Sequence, residues 1–309
     1  MEVIAAQATS ITSLNSLAHD MEATELLTRG LDIAADLSGG GLEFDDPRVE
    51  LAVRRVIGKG QGRIGLRDIA TITQLNLSRL NLGSLSGVEQ LHALSQFQAM
   101  GNRLTDLEPL TGCPDLRELN LSNNRIEGLE DLAKLTKLER LHLGRNRISD
   151  LKPLTGFREL RDLVLSYNQI QDLEPLAELS QLEELHLIGN QIRDIRPLAR
   201  LPRLRVLSLS HNQIQDIGPL EQLKHLQRLW LSDNRVEEIS PLALHQQLYL
   251  LYLGSNRIRS ISALQGLSGL RDLDLSNNQI ESLSELSALK QLQILLVSGN
   301  RIGEIGILG

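Results

Sequence analysis

Aromatic side chains are scarce in this chain of 309 residues: one Trp, three Tyr and three Phe, 2% of the total. Hydrophobic residues still reach 41%, so Leu and Ile must build the interior, a sign of regular architecture with small, repeated core sites. Cysteine is nearly absent. Cys113 alone excludes an internal disulfide framework and fits a reducing compartment. No window approaches the roughly 18 apolar residues of a membrane span, so no membrane insertion is expected. The opening stretch, MEVIAAQATSITSLNSLAHD, lacks the basic start and unbroken apolar run of a signal peptide. A cytoplasmic location is therefore expected, or a surface or secreted one if a signal lies outside this sequence. A field of one sign is missing as well. Of the net charge of −7, residues 1–46 hold nine acids against Arg29, leaving 31 bases and 30 acids for the rest. That balance argues against a nucleic-acid groove.

What the sequence does contain is a repeat. Asparagine recurs at Asn102, Asn124, Asn146, Asn168, Asn190, Asn212, Asn234, Asn256, Asn278 and Asn300, a constant spacing of 22. Eight residues before each stands a leucine, from Leu94 to Leu292. The unit reads L-x-x-L-x-L-x-x-N-x-I-x-x-I/L-x-x-L, the pattern of a leucine-rich repeat of the 22-residue class. In L-x-L, leucines alternate with polar residues at period 2, so one short strand per unit buries its leucine side. Stacking the units gives a leucine-rich repeat solenoid, a right-handed β/3₁₀ superhelix of the α/β class with a parallel concave sheet. At about 4.8 Å per strand, ten repeats span roughly 45 Å. The asparagines are expected to form a buried structural ladder that satisfies backbone groups left unpaired by the turn. Return segments such as SDLKPL, QDLEPL, RDIRPL and QDIGPL are too short for a regular helix. They predict a 3₁₀ or extended turn, with Pro153, Pro175, Pro197 and Pro219 fixing φ. The column Asp106, Asp150, Asp172, Asp194 and Asp216 is read as turn capping rather than a cation stripe.

A solenoid exposes its core at both ends unless something covers it. DDPRVELAVRRVIGKG predicts a capping helix with Asp46 as N-cap, Pro47 as first residue and Gly58 as stop. Val49, Val53, Val56 and Ile57 are expected to share its apolar face. The expected organisation is an acidic N-terminal segment over 1–45, helical or flexible; a helical cap over 46–71; an atypical first repeat over 72–93; and ten repeats over 94–309. The C-terminal end is expected to be uncapped, inviting a further domain or self-association at an open strand edge. The helix, the stretch ITQLNLSRLNLGSLSGVEQL and the D-x-x-P-L repeats resemble the internalins, bacterial leucine-rich repeat proteins with a helical N-terminal cap. That resemblance covers about residues 46–309. It implies a concave face that binds a protein partner and, for surface-attached members, adhesion to host cells. The repeat class also resembles phosphatase-regulatory proteins and the recognition arms of Roco-type GTPases.

The phase of the repeat singles out Trp230. It lies between Leu229 and Leu231, pointing away from the core, in a column with Ser208, Tyr252 and Asp274. Burial does not require an indole there, because the inner side of the strand is already leucine. An exposed apolar cluster rimmed by charge marks an interaction site, with Trp, Tyr and Arg as usual anchors. The partner-binding surface is therefore expected to comprise Trp230, Tyr252, Arg228, Leu250, His186, Ile188, Val206, His211, Tyr167, Val164 and Asp233. The competing reading is that Trp230 simply packs on Tyr252.

Reactive chemistry is not expected. His142 and His186 stand two strands apart, roughly 9.5 Å, too far to share a zinc. Asp272 and Asp274, about 6.8 Å apart, have a glycosidase-like spacing, but an open sheet offers no enclosing pocket. Cys113 sits in a return turn far from the concave histidines. GKGQGRIG does not match G-x-x-x-x-G-K-[ST] and reads as a loop. The expectation is a non-enzymatic interaction module with no catalytic residue, metal or cofactor, whose partner is another protein or a peptide. The alternatives are the recognition arm of a larger GTPase or ubiquitin ligase, and an internalin-like adhesin.

Overall fold

The computed structural model describes residues 42–303. The acidic N-terminal segment, apart from 42–45, and the last expected core position, Ile305, lie outside the described residues. Within them the repeat forms one sheet of eleven parallel strands in chain order. The strands are β1 (Gln74–Asn76), β2 (Gln96–Gln98), β3 (Glu118–Asn120), β4 (Arg140–His142), β5 (Asp162–Val164) and β6 (Glu184–His186). They continue as β7 (Val206–Ser208), β8 (Arg228–Trp230), β9 (Leu250–Tyr252), β10 (Asp272–Asp274) and β11 (Ile294–Leu296). Every pairing joins a residue to the one 22 positions on, as in Leu207 with Leu229. The sequence period is thus the register of the sheet, and each column of the repeat becomes a row of neighbouring side chains. The leucine-rich repeat solenoid expected from the spacing is the fold observed.

In β1 to β10 the central residue, a leucine except for Phe97 in β2, is buried, and its neighbours lie on the other face of the strand. Two residues after the next buried leucine, the chain takes a left-handed step. Asn123, Arg145, Tyr167, His211, Asp233, Ser255 and Asn277 all have φ between 54° and 60°. The asparagine follows directly and bridges two units. In Asn124, Oδ1 accepts the Leu104 N–H at 3.0 Å, while Nδ2 donates to Leu121 O at 2.9 Å and Ala99 O at 3.0 Å. The same three-bond rung recurs at Asn146, Asn168, Asn190, Asn234 and Asn256. Burial of the ladder is uneven. Asn102, Asn168, Asn190, Asn256 and Asn278 are buried, but Asn124, Asn146, Asn212, Asn234 and Asn300 remain partly open.

The return segments are 3₁₀ turns, for example Lys152–Leu154, Glu174–Leu176 and Arg196–Arg200. The preceding aspartates cap them. Asp106, Asp150, Asp172, Asp194 and Asp216 each accept the backbone N–H two residues on, at 2.8–2.9 Å. Each turn then presents one more core position. That column is leucine in most units, but Cys113, Phe157 and His245 also occupy it, all fully buried.

At the N-terminal end, helix α1 (Pro47–Ile57) begins at Asp46, whose carboxylate accepts the Arg48 N–H at 2.8 Å. It stops at Gly58, with φ of 67°. Val49 and Val53 are buried, and the Arg48 guanidinium donates to Leu80 O at 2.7 Å, docking the helix on the first unit. Val56 departs from expectation. It is 51% exposed, whereas Ile57 beside it in the last turn is partly buried against the core, so the apolar face runs through Val49, Val53 and Ile57 and leaves Val56 outside it. A short helix α2 (Leu66–Ile69) leads into β1. At the other end, Leu292, Leu295 and Val297 are only partly buried, since no strand stacks beyond β11 among the described residues.

Candidate functional site

Because register equals repeat length, Trp230 on β8 lies beside Ser208 on β7 and Tyr252 on β9. The indole and phenol meet edge to face, with centroids 6.4 Å apart and planes at 73°. Both rings are half-buried on the concave sheet and neither enters the leucine interior. The Arg228 guanidinium carbon stands 6.0 Å from the indole centroid, within cation–π range. Leu250, paired with Arg228 in register, is half-exposed beside them. The packing of Trp230 on Tyr252 is therefore real, and it leaves an amphipathic aromatic face open to solvent.

Val206 does not belong to that open face. It is 3% exposed, because Arg228 on one side and Glu184 on the other reach toward each other over it, at 3.7 Å. Ser208 is likewise covered, 2% exposed between His186 and Trp230. The small residue next to the large one answers why the column varies in size: the serine leaves room for its neighbours to close over it. Val164 and Ile188 are half-buried further along the sheet.

Tyr167, His211 and Asp233 lie off the strands, in the left-handed turns that rim the sheet. Tyr167 is 45% exposed, with the Arg145 guanidinium 4.5 Å from its ring centroid. Its ring leans over Gly189, where a Cβ would come within 2.6 Å of Cδ1. His211 Nδ1 and Asp233 Oδ2 are 3.4 Å apart. These residues form a polar and aromatic border rather than part of the tryptophan cluster.

The structure also assembles a charged group that the repeat pattern did not single out. His142 Nε2–H donates to Asp162 Oδ2 at 2.9 Å. Asp162 on β5 and Glu184 on β6 are direct register partners, and His186 Nε2 lies 3.8 Å from Glu184 Oε2. The other ring nitrogen of His186, Nδ1, shares a hydrogen bond with Ser208 Oγ at 3.0 Å. Burial holds the His186 imidazole below its ordinary value, with Asp162 and Glu184 pushing back. Among the described residues, Asp162 Oδ1 is buried without a hydrogen-bond partner, as is Arg228 Nε. One ligand atom from each of Asp162, Glu184 and His186 falls within 4.8 Å of the others. The signal was present in the columns: carboxylates and imidazoles occupy the same face of β4 to β6. Between the two histidines stands Asp162 on β5, and Glu184 shares β6 with His186.

Away from this surface, an open groove of about 680 Å³ runs along the flank beyond the ladder. Arg193, Gln213, Asp216, Arg235 and Glu237 line it, a mixed-charge wall distant in the repeat from the aromatic column. Cys113 is buried, donates to Val88 O at 3.4 Å, and has its thiol pushed up to about 12 by burial. Such a thiol is no nucleophile near neutral pH.

Comparison with known proteins follows the same lines. A family profile described as "Leucine Rich repeats (2 copies)" matches residues 97–134, 114–156, 158–200 and 202–244, and one described as "Leucine rich repeat" matches 246–302. Among solved structures, an internalin (inlF) from Listeria monocytogenes is similar over 86% of this chain and 93% of its own, with TM-score 0.72 and 29% identity. A leucine-rich repeat protein from Leptospira interrogans is similar over 76% of this chain and 68% of its own, with TM-score 0.68 and 26% identity. The functional domain of InlJ from Listeria monocytogenes, which includes a cysteine ladder, shares the fold at TM-score 0.75 and 24% identity. It aligns over 85% of this chain and 62% of its own length. Curated protein sequences yielded no match.

Proposed function

The chain belongs to the leucine-rich repeat family, and from that premise we propose that it is a non-enzymatic module holding a protein or peptide partner on its concave sheet. Leucine-rich repeat domains generally mediate protein–protein interaction, and the likeness to Listeria and Leptospira proteins accords with a bacterial source. The observation that carries the reading is the pair Trp230 and Tyr252, half-exposed and braced by Arg228. The fold does not need them, since Leu229 and Leu251 already fill the core beneath. A rigid aromatic pair with an arginine beside it is the composition of an interface hot spot. Leu250, Val164 and Ile188 extend the apolar area along the sheet, while Tyr167, His211 and Asp233 supply the polar rim. A typical specific contact needs about 800 Å² on each side, which a sheet of eleven strands accommodates.

The test is affinity capture from the source cell with the wild type and a Trp230→Ala, Tyr252→Ala double variant, matched by circular dichroism. A partner retained by the wild type and lost by a folded double variant supports the assignment. Equal retention by both would move the binding surface elsewhere.

A further inference from the structure

We propose that Asp162, Glu184 and His186 form a divalent-cation site on the concave sheet, beside the aromatic cluster and independent of what that cluster binds. The geometry begins with register. Asp162 and Glu184 face each other directly across β5 and β6, and two like charges in that relation destabilise a sheet unless something positive bridges them. The neighbouring hydrogen-bond donors do so incompletely. His142 engages only Oδ2 of Asp162, and Arg228 approaches only Oε1 of Glu184, at 3.7 Å. Asp162 Oδ1 is left buried with no partner among the described residues, a condition that a native structure rarely tolerates unless an ion or water fills it.

The third ligand is oriented for the role. Ser208, itself 2% exposed, holds His186 through Nδ1, which leaves Nε2 turned toward Glu184. A hydrogen bond at the far nitrogen is the usual way a metal-binding imidazole is fixed in tautomer and angle. His142 plays the corresponding part for Asp162. The three ligand atoms lie within 4.8 Å of one another. Around a tetrahedral zinc ion with bonds of about 2.1 Å, ligand atoms are about 3.4 Å apart, so side-chain rotations must draw the three together to close the site. One nitrogen with two carboxylate oxygens favours zinc and its first-row neighbours over calcium or magnesium, which take all-oxygen sets. Three protein ligands leave a position open toward the concave side.

Isothermal titration of the untagged, chelator-stripped protein with zinc chloride tests this. The expected result is one equivalent bound with micromolar or tighter affinity, and no comparable heat from calcium or magnesium chloride. Asp162→Asn and Glu184→Gln preserve shape and should each weaken binding by about tenfold or more, as should His186→Gln. Circular dichroism checks that each variant is folded, and any one folded variant suffices for the reading. Absence of zinc binding by the wild type would overturn the proposal. So would unchanged affinity in a folded variant, which would place the ion at other residues.

Discussion

Arg228 and Glu184 pair across an intervening strand, Nη2 to Oε1 at 3.7 Å, with Val206 lying between them in register. The pair roofs a valine that would otherwise be exposed, and it also sets Arg228 against the indole of Trp230. One side chain thus links the charged half of the concave surface to its aromatic half.

Replacing that residue should separate binding from stability. In Arg228→Ala the ion pair is lost, but both side chains are more than a third exposed, at 37% and 42%. The expected stability change is therefore within about 1 kcal/mol by urea denaturation. Partner binding should fall by about tenfold as the indole loses its brace, and Arg228→Lys should restore little of it. Full binding by the alanine variant would remove Arg228 from the interface.

Trp230→Ala should leave the circular dichroism spectrum and denaturation midpoint nearly unchanged while weakening binding by about 2 kcal/mol or more. Trp230 is the chain's one tryptophan, so intrinsic fluorescence reports on this site without labelling. Binding of a partner should shift its emission to shorter wavelength. A large loss of stability instead would mean that the ring's main role is packing on Tyr252.

The asparagine ladder makes a stability prediction. Asn190 is buried, accepts from Ile170 N–H at 3.0 Å and donates to Leu165 O and Leu187 O. Asn190→Ala leaves the Ile170 N–H unpaired, while Leu165 O and Leu187 O each keep a donor from Asn168 and Asn212, and it should cost about 1–3 kcal/mol. Asn300, only partly buried near the described end, should cost less on the same substitution. Chemical denaturation of the two variants gives the comparison.

His245 supplies a pH dependence. It fills a leucine column with no solvent exposure, Nε2 at 3.0 Å from Leu220 O and Nδ1 at 3.3 Å from Leu242 O. Burial depresses its folded pKa below the ordinary 6.5, outweighing the Leu220 and Leu242 carbonyls, which favour the protonated ring; Lys224 adds to the depression and Glu221 opposes it. The neutral ring is thus favoured in the folded state. Its contribution is complete above about 6.5 and is lost as pH falls from there through the folded value, because the unfolded chain binds the proton more readily. His186, also depressed by burial, adds with the same sign. Thermal melts should show stability falling on acidification, and His245→Leu should flatten that slope in part. An unchanged slope would assign the acid sensitivity to other groups.

Cys113 should resist thiol reagents in the native state. Its thiol is buried and pushed up to about 12. Labelling at pH 8 should be slow until denaturant is added, and rapid native labelling would mean that the return turn opens readily.

Much of this was readable from spacing. Once Asn102 to Asn300 set a period of 22, the strand positions, the ladder, the aspartate caps and the outward direction of Trp230 followed. The errors were of a different kind. The column of Val206 faces outward and predicts exposure, yet Arg228 and Glu184 cover it. Helical spacing puts Val56 on the buried face of α1, yet it is exposed while Ile57 in the same turn packs on the core. The Asp162 and Glu184 pair was overlooked because each acid, taken alone, reads as ordinary rim charge.

By itself, then, the sequence determined the repeat length, and repeat length dictates register, since a strand in a solenoid can pair only with the equivalent strand of the next turn. The tertiary structure alone decided which outward residues remain open, which carboxylates meet, and which atoms go unsatisfied. Those outcomes depend on side chains 22 and 44 positions apart closing over one another, as Arg228 and Glu184 do above Val206. A single unit of the repeat holds no trace of such contacts.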